Sequence, residues 1–328
     1  MMNNIDLTEL RGKRLGWVVP SIRPYSRVMA STRIRAYDVI NMCKEHGWDA
    51  GIYKPFLKYD LIIFQKAFKG RFLELARHLR RKGTKILLDI NVNFIDEDEH
   101  FVNSTHQSAI KEMLEICDGV VVSSPFLKSL YEKNCANKSI FLIEEIIDGM
   151  FYRPGKIHKR SDNIKLVFCG YAVKAEELYL IEDVLKSLHR EYGAELLFVC
   201  DRDPGIDIIP HRFIKYRHRS LPEQLIAGDI KISPRDMSRR YNLGHSFTRI
   251  GYPMSLGIPV VASPVPSYEG SPAVLCNDRD EWYKALESLI LNSDERNRLG
   301  AAGKEYVKEH YSKEVISVKY AQMFKDLF

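Results

Sequence analysis

Residues 234–270 read PRDMSRRYNLGHSFTRIGYPMSLGIPVVASPVPSYEG, and they predict a strand end, a glycine-containing loop, a helix and a second buried strand. The helix is expected over 246–256, with Gly257 ending it. A helix that follows a parallel strand directs N–H groups and a partial positive charge at its N-terminus, which suits a diphosphate. Arg249 in the first turn adds a fork-shaped donor for phosphate oxygens. An ordinary crossover helix with Ser246 as its N-cap is an alternative interpretation of the same sequence.

On both sides of this segment, apolar runs alternate with amphipathic stretches, which is typical of repeated βα units around parallel sheets. In the first half, strands are predicted at 14–20, 49–54, 60–66, 85–91, 119–124 and 139–145. In the second half, they are predicted at 165–170, 195–201, 213–218, 230–234, 259–263 and 273–277. Helices are predicted at 31–46, 70–82 and 175–192, with two or three closing helices over 281–328.

The alternation stops between the two halves, where the chain loses hydrophobic periodicity and gains Gly, Pro and charge, as linkers do. We therefore expect an N-terminal lobe over 1–148, a linker over 149–163, a C-terminal lobe over 164–310 and a closing helix over 311–328 that packs back on the first lobe. Ligands of open parallel sheets lie beyond the carboxyl ends of the strands, so a cleft between the lobes is the expected site.

Composition sets limits on the class of protein. The chain has 328 residues, of which 45% are hydrophobic and 28% charged, as in ordinary globular proteins. No run approaches the ~20 apolar residues that cross a bilayer, and no apolar export segment follows the N-terminal charges, so a cytoplasmic protein is expected. Six scattered cysteines without a CxxC pair predict reduced thiols. A net charge of +6, with short basic clusters, allows contact with nucleotide phosphates, an anionic membrane surface or DNA.

The run GIPVVASPVPSYEG (257–270) resembles the stretch that follows the donor-binding helix of GT-B glycosyltransferases, in particular the broad family 4 type. The order of features before it is also similar, with a strand ending at Gly170, Lys174 nearby and a strand at 230–234. The resemblance spans about 165–310.

The chain departs from that family at one place. Many members carry two glutamates eight residues apart, and the matching positions here are Gly244 and Tyr252. Relatives whose helix opens with Ser-x-x-Arg are closer, since Ser246 and Arg249 fit that pattern. The departure puts the usual ribose contact in doubt, together with any inference about retention or inversion.

The resemblance implies an α/β fold with two Rossmann-like lobes and C-terminal helices, and transfer of a sugar from a nucleotide-sugar donor to a hydroxyl acceptor. It also implies electrostatic stabilisation of the leaving group without a metal or other cofactor. Surface polysaccharide or glycoconjugate synthesis is the expected setting, with a saccharide or lipid-linked acceptor, contact with the membrane surface, or DNA as another acceptor. The donor-binding residues are expected to be Gly170, Lys174, Gly244, His245, Ser246, Phe247, Thr248 and Arg249.

Candidates for the acceptor side lie in the first half of the chain. Arg23, Arg27 and Arg33 surround the start of the first predicted helix, where they could hold an anionic acceptor or merely line a solvated helix face. Asp89 near a strand end and His106 are candidate general bases for the acceptor hydroxyl. A retaining enzyme would need no dedicated base.

Other classes of protein fit the sequence less well or remain as alternatives. No GxGxxG follows a strand and no GxxxxGK is present, which argues against a nicotinamide dehydrogenase and a P-loop kinase. Asp201 and Asp203 form an Asp-x-Asp pattern, the metal ligand of single-lobed glycosyltransferases, but the two-lobe order argues against that fold. A sugar-nucleotide epimerase of the same shape and an inactive nucleotide-sugar-binding module are the remaining alternatives.

Overall fold

A computed structural model describes residues 12–27, 29–96, 102–135, 137–147, 155–160 and 163–328. The chain divides into two compact units. The first consists of Met1–Ile146, Leu243–Ser246 and Lys313–Phe328, and the second of Ile147–Asn242 and Phe247–Ser312. Most of the predicted linker, including 149–154, lies outside the described residues.

The first unit is built on a six-stranded sheet of order β2-β1-β3-β4-β5-β6 in which every pair is parallel. Its strands are β1 (Arg14–Val18), β2 (Asp49–Ile52), β3 (Leu61–Gln65), β4 (Lys85–Ile90), β5 (Gly119–Val122) and β6 (Ser139–Leu142). The central strands are buried along their whole length, because helices cover both faces of a parallel sheet.

Helices of the first unit begin and end where the sequence supplies the expected signals. A continuous helical stretch is formed by α1 (Ala30–Thr32), a π-helical turn (Arg33–Tyr37) and α2 (Asp38–Glu45), and it is followed by α3 (Arg71–Arg81), α4 (Ser104–Ile116), α5 (Pro125–Asn134) and α12 (Lys313–Leu327). Asn103 and Ser124 cap α4 and α5 through their side chains. Gly83 follows α3 with φ +83°, the left-handed conformation that ends helices.

The second unit repeats the arrangement with a parallel sheet of order β12-β11-β10-β7-β8-β9. Its strands are β7 (Lys165–Gly170), β8 (Glu195–Cys200), β9 (His211–Lys215), β10 (Ile230–Ser233), β11 (Val260–Ala262) and β12 (Val274–Leu275). The two parallel α/β sheets predicted from the sequence are thereby confirmed.

Helices of this unit are α6 (Glu182–Tyr192), α7 (Leu221–Ile226), α8 (Arg240–Leu243), α9 (Thr248–Ser255), α10 (Arg279–Leu291) and α11 (Ser293–Tyr311). A 3₁₀ segment, Ala172–Ile181, replaces the first part of the helix predicted at 175–192. The helix predicted at 246–256 is shorter, and it contains Pro253, which has no N–H to bond to the carbonyl of Arg249.

The sequence also predicts reduced thiols and no segment that crosses a membrane. All six cysteines are unpaired thiols, five of them buried. In the described part of the chain, no helix has both the length and the apolar character needed to cross a membrane.

Candidate functional site

A row of buried polar side chains runs along β10, from the middle of the second sheet to just beyond its carboxyl edge. Lys231 and Ser233 lie on β10, and since strand residues alternate between faces, both point to the same side of the sheet. Arg235 follows just beyond the strand end. Lys231 is 0% exposed, Ser233 1% and Arg235 3%, so this strand carries polar groups into a region that is otherwise apolar.

Several atoms of this row have no hydrogen-bond partner. Among the residues that the structure describes, none bonds to Nζ of Lys231, Oγ of Ser233 or Nη1 of Arg249. Nε and Nη2 of Arg235 also find no partner of ordinary geometry in the described chain, although the Tyr268 side chain lies near this guanidinium. Buried donors are normally satisfied, and leaving one unpaired costs about 1–3 kcal/mol. A concentration of them at one edge indicates a place prepared for a polar ligand.

Arg249 lies in the first turn of α9 and packs on the end of β7. A Cβ atom added to Gly170 would lie only 3.2 Å from Nη1 of Arg249, so the guanidinium rests directly on the glycine backbone. Any larger residue at position 170 would push it away. The sequence prediction that Gly170 and Arg249 act at one place therefore has a matching geometry.

Charges at this edge do not cancel. Arg235 forms an ion pair with Glu177 of the 3₁₀ segment, and Asn242 donates to the same carboxylate with an Nδ2–Oε1 distance of 2.8 Å. Lys231 and Arg249 have no ion-pair partner among the described residues. Burial lowers the pKa of Arg235 well below its ordinary value, and the charge of Arg249 lowers it further. The guanidinium charge of Arg249 is therefore uncompensated among the described residues, and a bound anion would relieve it.

Other predicted donor residues of this unit have different surroundings. The Lys174 ammonium lies 4.7 Å from the centre of the Tyr241 ring. Thr248 is the first residue of α9. Phe247 is 1% exposed and stacks on Tyr311 with ring centres 4.2 Å apart. Its side chain therefore supports the start of the helix from within the core.

A cavity of about 320 Å³ opens beside Arg235, at the carboxyl ends of β10, β11 and β12. Its lining is mixed: apolar side chains and Trp282 alternate with polar and charged ones, among them Ser263, Asp236, Asp278 and Arg279. Its volume is at the lower end of the range of small-ligand pockets, roughly 300–1,000 Å³.

The segment Leu243–Ser246 belongs to the first unit, which separates it from the rest of the predicted donor helix. A Cβ atom on Gly244 would lie 3.1 Å from Leu127 and 3.3 Å from the Asn93 nitrogen, and His245 is partly buried. The Ser246 hydroxyl hydrogen-bonds Glu145, whose pKa is raised by burial. Ser246 is thus committed to a carboxylate and does not cap α9, whose N-cap is Phe247.

Asp89 lies at the carboxyl end of β4 but is only 1% exposed. Arg35 donates to both of its oxygens, with Nε–Oδ1 and Nη2–Oδ2 distances of 2.7 Å. Burial alone would lower the pKa of Arg35, but the Asp89 charge raises it above its ordinary value. The carboxylate predicted as a base is therefore a buried ion-pair partner, and it does not reach a surface where an acceptor hydroxyl could meet it.

The remaining predicted residues of the first unit do not form one group. Arg23 and Arg27 are exposed, whereas Arg33 is 3% exposed on the π-helical turn, 5.9 Å from the Tyr25 ring centre. His106 is partly buried in the first turn of α4, with Nδ1 2.8 Å from Oδ1 of Asn103.

His106 also stacks on Phe94. Burial lowers its pKa, and Lys69 lowers it further. A lowered pKa keeps the imidazole neutral near pH 7, which a general base requires.

Sequence reasoning missed the buried lysine on β10. The signal was present, because Lys231 interrupts the apolar run DIKISP, where a lone lysine is rarely tolerated without a reason. Lys66 is a second lysine next to an apolar run, directly after β3. It has φ +52°, unusual for a residue with a side chain, and burial lowers its pKa to about 8.

Comparisons with known proteins agree with this architecture. No protein-family model and no curated protein sequence matches the chain. Among solved structures, it is similar to a sucrose-phosphate synthase from Thermosynechococcus elongatus, with 14% identity, a TM-score of 0.70 and an alignment over 96% of this chain and 99% of that one.

Two further structures give similar values. A glycosyltransferase from Rickettsia africae has 13% identity and a TM-score of 0.66, with 96% and 98% of the two chains covered. An alpha-glucosyltransferase in complex with UDP-glucose and DNA has 8% identity and a TM-score of 0.63, with 95% and 98% covered. At these identities the likeness shows the fold, and the predicted GT-B fold class is confirmed.

Proposed function

We propose that this chain is a glycosyltransferase that binds the diphosphate of a nucleotide-activated sugar at the carboxyl edge of its second sheet. The observation that supports this most directly is the group of unpartnered polar atoms on Lys231, Ser233, Arg235 and Arg249. A diphosphate brings several acceptor oxygens and negative charge, which are what these donors lack.

The same groups suit the chemistry of transfer. When the bond between sugar and diphosphate breaks, negative charge develops on the departing phosphate oxygen. Donors that are already fixed in a water-poor site stabilise that charge without having to reorganise. Arg249 and the N-terminus of α9 are our candidates for the direct contacts. Gly170 has no side chain and so leaves room for the Arg249 guanidinium, and Lys174, four residues after Gly170, is a further candidate.

The solved structures of the same fold support the choice of ligand. One similar alpha-glucosyltransferase was determined with UDP-glucose and DNA, and another structure of that name with UDP. Fold alone does not fix the reaction, so the argument for this chain depends on its own unpartnered donors.

For the acceptor we propose a saccharide or lipid-linked saccharide hydroxyl, and for the place of action the cytoplasm or the inner membrane surface. Exposed basic residues at the two ends of α3, Arg71 at its start and Arg81 with the following Lys82 at its end, support contact with anionic surfaces. His106 is the candidate base that has a partly exposed ring, and DNA is the alternative acceptor that the basic charge allows.

A direct test measures binding and turnover with UDP-, GDP-, dTDP- and ADP-sugars and CMP-sialic acid, in the presence of EDTA. We expect one donor to bind and to be hydrolysed or transferred without added metal, because protein cations carry the phosphate charge. Arg249→Ala is expected to weaken binding of that donor about 30-fold, the loss of a strong charge-assisted contact, while binding of the bare nucleoside changes less than about twofold.

Arg190→Ala is the matched control, since this arginine is exposed on α6 of the same unit. Equal losses for the sugar nucleotide and the nucleoside would remove Arg249 from the phosphate role. A changed sugar without transfer would indicate an epimerase, and binding without turnover a binding module. Steeply salt-dependent binding to DNA would favour the nucleic-acid acceptor.

A further inference from the structure

Lys231 is a buried amine in the middle of the second sheet. It lies on β10 in register with Val167 of β7 and Val260 of β11, and it is 0% exposed. Its Nζ lies 5.0 Å from the centre of the Phe168 ring and has no hydrogen-bond partner in the described parts of the chain. A charged ammonium in such a place is costly unless an anion is close by.

The groups that act on this amine include no carboxylate. They are the thiols of Cys169 on β7 and Cys200 on β8, and the guanidinium of Arg249 on α9. Glu177, a carboxylate close to the carboxyl end of β10, is engaged in the ion pair with Arg235. Burial is the largest cause of a lowered pKa of Lys231; the thiols act in the opposite direction and the Arg249 charge in the same direction, and the resulting pKa is about 7. Without a ligand the amine is thus close to half-protonated at neutral pH.

We propose that Lys231 is the charge-compensating residue of the diphosphate site: its amine takes one proton from solvent when a sugar nucleotide binds beside Arg249, and returns it when the nucleotide leaves. This inference depends on the proposed function. Since Lys231 is fully buried, its contribution is the charge of its amine, and no contact with the phosphate oxygens is required. It is therefore a positioning residue and does not take part in catalysis by contact.

The sign of the pH dependence follows from the lowered pKa. At pH 8 the amine is about nine-tenths neutral without ligand, so binding takes up about 0.9 proton, whereas at pH 6 it takes up about 0.1. Because binding consumes a proton above pH 7, affinity for the sugar nucleotide is expected to rise about tenfold between pH 8 and pH 6.

The experiment is titration calorimetry with the donor that binds best from the panel, for example UDP-glucose, at pH 6 and pH 8. Two buffers of different ionisation enthalpy, such as HEPES and Tris at pH 8, give the number of protons taken up. A nucleoside diphosphate sugar is suitable, because its diphosphate diester does not titrate between these values. The wild type is expected to take up about 0.9 proton at pH 8.

Three variants make the result specific. Lys231→Met has a similar size and no charge, so it is expected to bind with no uptake and, at pH 6, about tenfold more weakly than the wild type. Lys231→Arg remains charged, so it is expected to bind without uptake and with little pH dependence. Lys186→Met, on the exposed face of α6, is the control and should behave like the wild type.

Proton uptake near zero in the wild type at pH 8, or proton uptake in Lys231→Met equal to that of the wild type, would overturn the role of Lys231 while leaving the diphosphate site in place. If Lys231→Met does not fold, the proton uptake measured for the wild type and for Lys231→Arg still tests the role of Lys231. Absence of binding by every sugar nucleotide would overturn the proposed function itself, and the inference with it.

Discussion

Two arginines show opposite uses of a buried guanidinium. Arg35 is 1% exposed and spends its donors on Asp89 and on the carbonyl of Ile143, with an Nη1–O distance of 2.8 Å. Arg249 keeps Nη1 without a partner in the described chain and lies against Gly170. A satisfied guanidinium of the first kind holds elements together, whereas an unsatisfied one of the second kind is available to a ligand.

The role of Asp89 can be tested by Asp89→Asn. The substitution keeps the shape but removes the charge that faces Arg35, and an uncompensated buried charge is expected to lower the free energy of unfolding by about 3–5 kcal/mol. Urea denaturation followed by fluorescence measures this. Asp49→Asn is the control, because Asp49 pairs with Arg14 at an exposed position of the same sheet.

A lower transfer rate with unchanged stability in Asp89→Asn would contradict this assignment and restore Asp89 as a base. The sequence indicated Asp89 correctly as a residue at a strand end. It could not show burial, because the partner Arg35 lies 54 residues away on a helix. Lys231 is different, because its place in an apolar run was a visible signal, although only the folded sheet shows that its amine has no partner among the described residues.

At the scale of elements, the end of α9 is fixed by close backbone packing against α11. A Cβ atom on Gly300 would lie 2.2 Å from the carbonyl oxygen of Gly257, which follows α9 with φ +75°. A Cβ atom on Gly303 would lie 3.2 Å from Cβ of Met254, so α11 is close to α9 here as well. Two glycines three residues apart thus let α11 lie directly on the helix that carries Arg249.

Gly300→Ala is expected to force α11 away from α9, since the obstructing atom belongs to the backbone. Overpacking of this kind costs about 1–3 kcal/mol, measured as a lower free energy of unfolding. Ala302→Ser, on the exposed side of the same helix, should change stability by less than about 0.5 kcal/mol. An unchanged denaturation midpoint for Gly300→Ala would show that the two helices can move apart without a loss of stability.

Strands were easier to predict than the start of α9. Central parallel strands are covered on both faces, so they read as continuous apolar runs, and the twelve strands of the described residues were located from the sequence. The start of α9 was placed two residues too early, because Ser246 looks like an N-cap. In the structure its hydroxyl bonds Glu145, about a hundred residues earlier in the chain, which no local pattern reveals.

For the molecule as a whole, the first unit combines the beginning and the end of the chain. Helix α12 adds Ile316, Tyr320 and Phe324 to the apolar core that contains Trp17 and Trp48. The Phe324 and Trp48 rings meet edge to face, with centres 5.5 Å apart. The core of this unit is therefore incomplete without residues from the last turns of the sequence.

Phe324→Ala is expected to lower the free energy of unfolding of the first unit by about 3–5 kcal/mol, through lost apolar contact and a cavity. Trp17 and Trp48 report on this unit and Trp282 on the second, so fluorescence of single-tryptophan variants separates the two. Val318→Ala, at an exposed position of α12, is the control. Equal loss in both variants would show that α12 is not part of the core.

The placement of α12 has a consequence for synthesis of the protein on the ribosome. The second unit can close around its own sheet while translation is still in progress, because its segments are contiguous but for four residues. The first unit, although made earlier, has to wait for α12 to emerge from the exit tunnel. Its apolar face near Trp48 thus stays uncovered in the nascent chain, where a chaperone that binds apolar segments would find its target.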